Sequence, residues 1–330
     1  MPVFADRVTH GHHLHVEGAS SQAPDGCLTV GLVNNMPDSA LVSTERQIHE
    51  LLKEAAGERP VRLLFYALPT VKRTDWGRDY MSRTYSFAET LADGAVDGLI
   101  VTGAEPQTPD LVDEAYWPEL GRVIDWAKGN TSSTIWSCLA VHASVRHLDG
   151  IERRPLAQKC IGIFEQEKRQ AHPMLDGTPD RLLMPHSRWN EIRQGDLEAH
   201  GYSVLTRSGT AGVDTFVKQQ SRSLFVFLQG HPEYEALSLL GEYRRDAGRF
   251  LRGEAEAYPT MPNGYFDEAG ERLALEYREQ ALADRRQETL AKFPAERLAG
   301  HVTHRWRDGA VGLYRNWLAF LSARSGRTGD

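Results

Sequence analysis

The sequence predicts an α/β fold, a parallel sheet sandwiched by helices, followed by a helical extension at its C-terminal end. Three observations carry that expectation. Short β-rich apolar runs alternate with helical patterns from residue 28 to about residue 148, and such alternation implies right-handed crossovers between parallel strands. The run Thr134-Ile-Trp-Ser137 passes through Cys138 straight into a helical pattern, with Val141, Val145 and Leu148 at i, i+4 and i+7. A further buried strand, Leu224-Phe-Val-Phe-Leu228, ends in the loop Gln229-Gly-His-Pro-Glu-Tyr234.

Residues 1–25 are polar and hold His10, His12, His13 and His15 close together. Without carboxylate or cysteine company they read as a flexible leader rather than a metal site. Order is expected from the strand Leu28–Val33 onward, followed by the loop Asn34-Asn-Met-Pro37. Residues 45–56 place Ile48, Leu51, Leu52 and Ala55 on one helical face, and Val61–Ala67 is a second strand. The polar, aromatic segment 69–95 reads as a long loop and a short helix, an insertion of the kind that shapes pockets. A third strand spans Asp97–Gly103, and a helix over 116–128 presents Leu120, Val123, Ile124 and Ala127. Between 151 and 223 shorter strands are expected at Leu182–Met184, Tyr202–Thr206 and Val213–Val217. Helices follow over 235–252, 268–296 and 305–322, with a Pro/Gly linker over 253–264. The expected division is a leader over 1–25, a catalytic domain over 26–255 and a helical extension over 256–330.

Composition narrows the function. The chain has 330 residues, 41% hydrophobic and 25% charged, which is ordinary for a globular protein. A net charge of −7 with no local Lys/Arg block argues against a nucleic-acid partner. The apolar runs are of strand length, too short to span a bilayer, and no signal-peptide core follows the first charges. Three cysteines cannot form a disulfide framework and show no metal-ligand spacing. A soluble, cytoplasmic, reduced protein is expected.

The chemistry is expected at strand ends, where an open parallel sheet places its functional loops. A cysteine at a strand-to-helix turn projects above the sheet edge on the positive end of the helix dipole, and the next backbone N–H faces whatever the sulfur attacks. Cys138 has that setting, which suits nucleophilic acyl transfer. His231 and Glu233 leave a buried strand two residues apart. Imidazole there can act as base to a thiol on a neighbouring strand end, and the carboxylate can orient the ring. The loop at Gly103-Ala104 can offer a second oxyanion N–H.

Six segments then point to one family. Asn35-Met-Pro37, Asp97–Ala104, Ala115-Tyr-Trp-Pro118, Ser133–Val141, Pro185-His-Ser-Arg188 and Gly230-His-Pro-Glu-Tyr234 occur in this order. Together they resemble the homoserine O-succinyltransferase/O-acetyltransferase family, densely over residues 28 to about 250. The resemblance resumes weakly at Tyr265-Phe266, Trp306-Arg307 and Asn316-Trp-Leu318. It implies a class I glutamine-amidotransferase-like fold, flavodoxin-like in its three layers. It also implies ping-pong acyl transfer from succinyl-CoA or acetyl-CoA to L-homoserine in methionine biosynthesis, with no cofactor and by a homodimer. Cys138 would carry the acyl thioester, His231 act as base and Glu233 orient it. Leu139 and Ala104 would form the oxyanion hole, and Lys159, Ser187 and Arg245 would bind the amino acid.

Departures from the family pattern accompany the match. Asp38-Ser39 stand where the family often has adjacent lysines. The position linked to acyl choice, glycine in succinyl enzymes and glutamate in acetyl enzymes, aligns with Gln107. Its bulk disfavours succinyl, but its amide can donate to the free carboxylate of succinate, so succinyl transfer is expected. The charged region 268–300 is longer than the family pattern. Other readings compete, the first being acetyl transfer from acetyl-CoA to homoserine or serine. A glutaminase of this fold would flank the cysteine with glycines, where this chain has Trp136 and Ala140. A non-catalytic binding protein would have no need of the intact Cys138, His231 and Glu233.

Overall fold

The structure, a computed structural model, describes residues 3–9, 12–14, 24 and 26–325. Its first half runs β1 (Val3–Thr9), β2 (His12–Leu14), β3 (Leu28–Val33), α1 (Asp38–Ala56), β4 (Val61–Ala67), α2 (Asp75–Thr84), β5 (Ser86–Phe87) and β6 (Gly98–Val101). Next come α3 (Trp117–Asn130), β7 (Ser133–Ser137), α4 (Leu139–Asp149), β8 (Arg154–Lys168), β9 (Arg181–Glu191) and α5 (Gln194–Ala199). Five strands follow: β10 (Ser203–Val204), β11 (Thr206–Ser208), β12 (Gly212–Val213), β13 (Thr215–Gln220) and β14 (Ser223–Leu228). The chain closes with α6 (Ser238–Leu251), α7 (Glu268–Ala283), α8 (Ala295–Ala299) and α9 (Arg307–Ser325).

The main sheet has the order β10-β13-β14-β7-β6-β3-β4-β1-β2, with β5 beside β4. Its centre, β14-β7-β6-β3-β4, is parallel throughout, as the strand-helix alternation requires. Side chains alternate across it with period two. Leu32, Ile100, Ile135 and Val226 point to the layer of α1 and α9. Leu99, Val101, Trp136, Phe225 and Phe227 point to the layer of α3 and α4. The carboxyl ends of β6, β7 and β14 lie side by side, and the loops leaving them carry Gly103-Ala104, Cys138 and His231.

Several expectations need correction. Part of the leader is ordered: β1 pairs in parallel with β4 from Val3↔Val61 to Asp6↔Leu64, and β2 folds back on it. The edge of β4 would otherwise present an open row of N–H and C=O groups, and Val3 is buried in the core. His10 and His15 lie outside the described residues. The short strand expected at Leu182–Met184 is part of a long antiparallel hairpin, β8 with β9, at one end of a second sheet ordered β12-β11-β8-β9. The segments 202–206 and 213–217 each split between the two sheets. Leu205 and Asp214 are the crossing points, both fully buried. The charged helix expected over 268–296 stops at Ala283, and Asp284 caps the following turn through Thr289 Oγ1 at 3.1 Å.

The last helix returns under the main sheet. Trp317 and Leu321 of α9 lie so close to β6 that a side chain at Gly98 would meet them at 2.8 and 2.6 Å. The Trp317 indole donates to Ser133 Oγ at 3.0 Å. Among the described residues no helix is long and apolar enough to cross a membrane.

Candidate active site

β7 is buried at every position, and the chain leaving it turns sharply at Cys138, with φ +51° and ψ −113°. A non-glycine residue rarely takes a positive φ, and such strain persists only where the surroundings hold it. Here the Cys138 N–H donates to Leu228 O at 2.8 Å, tying the turn to the end of β14. α4 begins at Leu139 with no side chain capping its first turn, so its N-terminal N–H groups face the sulfur side uncapped. The loop after β6 presses on that turn. A Cβ at Gly103 would meet Leu139 Cβ at 2.4 Å and Ala140 N at 2.9 Å. Only glycine permits that approach, which sets the backbone of Ala104 beside that of Leu139. Cys138, Leu139 and Ala104 line one open cleft of about 390 Å³.

His231 arrives from β14 by a loop that is equally constrained. A Cβ at Gly230 would meet Met184 Cγ at 2.4 Å. The Gly230 N–H donates to Asp214 Oδ1 and the His231 N–H to Pro185 O, each at 2.8 Å. The His231 ring stacks on Tyr234 with centroids 4.2 Å apart, and its Nδ1 meets Glu233 Oε1 at 2.8 Å. With Nδ1 so engaged, Nε2 is left for Cys138, to which the ring is also hydrogen-bonded. Burial pushes the imidazole pKa down, but the negative charges of a Cys138 thiolate and of Glu233 outweigh it and hold the ring well above its usual range. The arrangement therefore accommodates a proton moving from sulfur to ring.

The loop of His231 is fastened from the C-terminal region. The Trp306 indole donates to Tyr234 O at 2.9 Å, and His304 Nε2 meets the same carbonyl at 3.0 Å. The Tyr265 hydroxyl donates to Ala236 O at 2.5 Å.

Lys159, Ser187 and Arg245 converge, as expected of residues in one site, but on a partner that sequence reasoning missed. Glu242 of α6 accepts from Lys159 Nζ at 3.2 Å, from the Ser187 hydroxyl and from the Tyr234 hydroxyl. Lys159 also pairs with Asp246 at 2.7 Å. Arg245 lies 3.5 Å from Glu242 and 3.4 Å from Asp246, with its guanidinium half exposed to the cleft. Burial would raise the Glu242 pKa, but Lys159 and the two hydroxyls outweigh it and keep the carboxyl below its usual range. The spacing of Glu242, Arg245 and Asp246 on one helical face was visible in the sequence, although it has the look of an ordinary solvated face.

Gln107 is not brought to the cleft. It is exposed, its amide donates to Glu105 O at 3.3 Å, and the cleft is lined instead by Glu105 and Pro106 of that loop, with Glu105 3.2 Å from Arg249. Asp38, in place of a family lysine, pairs with Arg73 and caps α2 through Thr74, accepting from its N–H at 2.7 Å. The insertion at 69–95 thus braces the Asn34–Pro37 loop from behind instead of walling the cleft.

Comparison with known proteins places the chain in a family. A family profile for homoserine O-succinyltransferase matches residues 10–326. A protein of Rhodopseudomonas palustris named homoserine O-succinyltransferase is 45% identical over 309 residues, 94% of this chain and 92% of that protein. One of the same name from Methylorubrum extorquens is 47% identical over 306 residues, 90% of this chain and 88% of its own. Among solved structures, a glutamine amidotransferase from Thermotoga maritima superposes with a TM-score of 0.50 at 13% identity, covering 89% of this chain and 98% of that one. That likeness shows the fold, a class I glutamine-amidotransferase-like α/β architecture with added C-terminal helices.

Proposed function

Because the chain belongs to the homoserine O-succinyltransferase family and is a transferase, we propose that it moves a succinyl group from succinyl-CoA to the hydroxyl of L-homoserine. The cycle is ping-pong, through a thioester on Cys138, and serves methionine biosynthesis. The observation that carries this reading is the His231 ring bridging Cys138 and Glu233, at the uncapped start of α4.

His231 accepts the thiol proton, and the sulfur attacks the thioester carbonyl of succinyl-CoA. The oxyanion is received by the N–H groups of Leu139 and Ala104. The intermediate collapses with loss of CoA thiolate, which takes the proton back from His231. In the second half-reaction His231 accepts the proton of the homoserine hydroxyl, whose oxygen attacks the Cys138 thioester. Collapse releases O-succinylhomoserine and restores the thiol. Glu233 holds the ring and balances its charge in both halves. Arg245 clamps the homoserine carboxylate, with Lys159 and Ser187 beside it, since a guanidinium can make the planar two-bond contact. Glu242 holds these groups in place and offers an anion to the homoserine ammonium. Succinyl-CoA is a co-substrate, and the scheme uses no cofactor.

Initial-rate kinetics test the reading with succinyl-CoA or acetyl-CoA against homoserine or serine. Parallel double-reciprocal lines, with succinyl-CoA and homoserine the preferred pair, are expected. Intersecting lines, or turnover of glutamine in place of any acyl-CoA, would contradict it.

A further inference from the structure

Resting on the succinyl reading above, we propose that Arg153, beside His142 in the wall of the cleft, receives the free carboxylate of the succinyl group. That carboxylate enters a partly buried site and needs a partner there, because an unpaired buried charge is costly. Gln107 does not supply one, being outside the cleft.

The cleft of Cys138 continues into a second cavity of about 350 Å³, and the two share His142, Arg153 and Asn190 as lining. His142 follows Cys138 by four residues on α4, so it lies one turn on and on the same side, at a helical pitch of about 5.4 Å. Three C–C bonds of about 1.5 Å carry the succinyl carboxylate roughly 4 Å from the thioester carbon, level with that turn.

The chemistry of the lining suits an anion. Arg153 spends one Nη2 donor on Pro109 O at 2.9 Å and has no carboxylate partner among the described residues. Two acids share this wall: Glu152 lies 3.3 Å from Arg146, and Asp110 accepts from the Val112 N–H at 3.2 Å. His142 is buried, and its Nδ1 has no partner. Burial first, then the charges of Arg188 and Arg153, push its pKa down to about 3. The ring is therefore neutral and adds no charge to the wall that Arg153 shares with it. Acetyl has no group to place there, so Arg153 separates the two donors while the reaction at Cys138 stays the same.

The test compares kcat/KM for succinyl-CoA, acetyl-CoA and butyryl-CoA, the last matching succinyl in length without its carboxylate. Arg153→Met is expected to lower the succinyl-CoA value about 10- to 100-fold, the range of a lost charge-assisted contact. Acetyl-CoA and butyryl-CoA values should stay within about threefold, and the KM for homoserine should not move. Arg153→Lys should fall between, because it keeps the charge without the fork. Equal loss on all three donors would make Arg153 only a brace for the Pro109 loop and overturn the proposal. So would an unchanged preference for succinyl in Arg153→Met. A wild-type enzyme that favours acetyl-CoA would instead refute the succinyl reading, and this inference would fall with it.

Discussion

The proposed nucleophile and the proposed base of this site are held by different means. Cys138 is set by one strand, one turn and one helix, with a glycine on the neighbouring loop to press the turn in place. His231 depends on distant parts of the chain: Pro185 and Asp214 under its loop, Glu242 beyond Tyr234, and Trp306 and His304 behind it. The first device is mainly local, with one hydrogen bond from the Cys138 N–H to Leu228 O tying it to β14. The second is a tertiary construction, so residues far from the chemistry should govern the base while leaving the nucleophile in place.

The largest expected effect strikes the local device. Cys138→Ser should lower turnover on the order of 10⁴-fold or more, as loss of a nucleophile does, with circular dichroism unchanged; activity near wild type would remove Cys138 from the reaction. His231→Ala should slow the acylation half-reaction by about 10²-fold with little change in acyl-CoA affinity. Glu233→Gln should cost less, since it orients the ring and carries no proton. Rapid-quench measurement of thioester formation separates the three.

Each region also contains a buried histidine held neutral, His142 in α4 and His186 under the His231 loop. For His142 the folded pKa, about 3, lies below the ordinary 6.5. Between those values the unfolded chain binds a proton that the native ring refuses, so stability falls as pH falls through that window. The raised pKa of His231 acts in the opposite direction and in a higher window, its contribution being full below 6.5 and lost as pH rises through the folded value. At pH 5 the His142 contribution amounts to about 2 kcal/mol relative to neutral pH. Urea midpoints should drop less between pH 7 and pH 5 in His142→Gln than in wild type, and parallel drops would show that the ring is already solvated.

Trp306→Phe removes one of the two donors to Tyr234 O. It should cost about 1 kcal/mol of stability and slow turnover severalfold, while hydrogen exchange of the Cys138 N–H, held by Leu228 O, keeps its rate. Equal damage to both would erase the contrast between the two regions. The smallest effect is expected at Gln107, where exposure outside the cleft leaves Gln107→Gly within about threefold of wild type on either acyl donor. A marked gain of succinyl transfer would return acyl choice to that position.

The same contrast explains what could be read in advance. Cys138 was legible because a buried run meets a 3.6-period helix at it, and both signals are local. β8 was not, because the first five of its residues are largely exposed and show no apolar alternation. The split of 202–206 and 213–217 between two sheets was hidden because Leu205 looks like any strand residue and Asp214, a poor strand former, stands between the β-branched Val213 and Thr215. Glu242 and Asp246 resembled a solvated helix face until the fold brought Lys159 to them from β8, 83 and 87 residues away in sequence. Gln107 was placed by alignment to a family pattern, but the loop turns Glu105 to the cleft in its stead.

The central claim is that the turn at Cys138 takes the acyl group as a covalent intermediate. Intact-mass spectrometry after mixing with succinyl-CoA, without an acceptor, tests it directly. One succinyl group is expected on the wild-type chain, located to Cys138 by peptide mapping, absent from Cys138→Ser and discharged when homoserine is added. An unmodified wild-type chain that still forms O-succinylhomoserine from both substrates would contradict it.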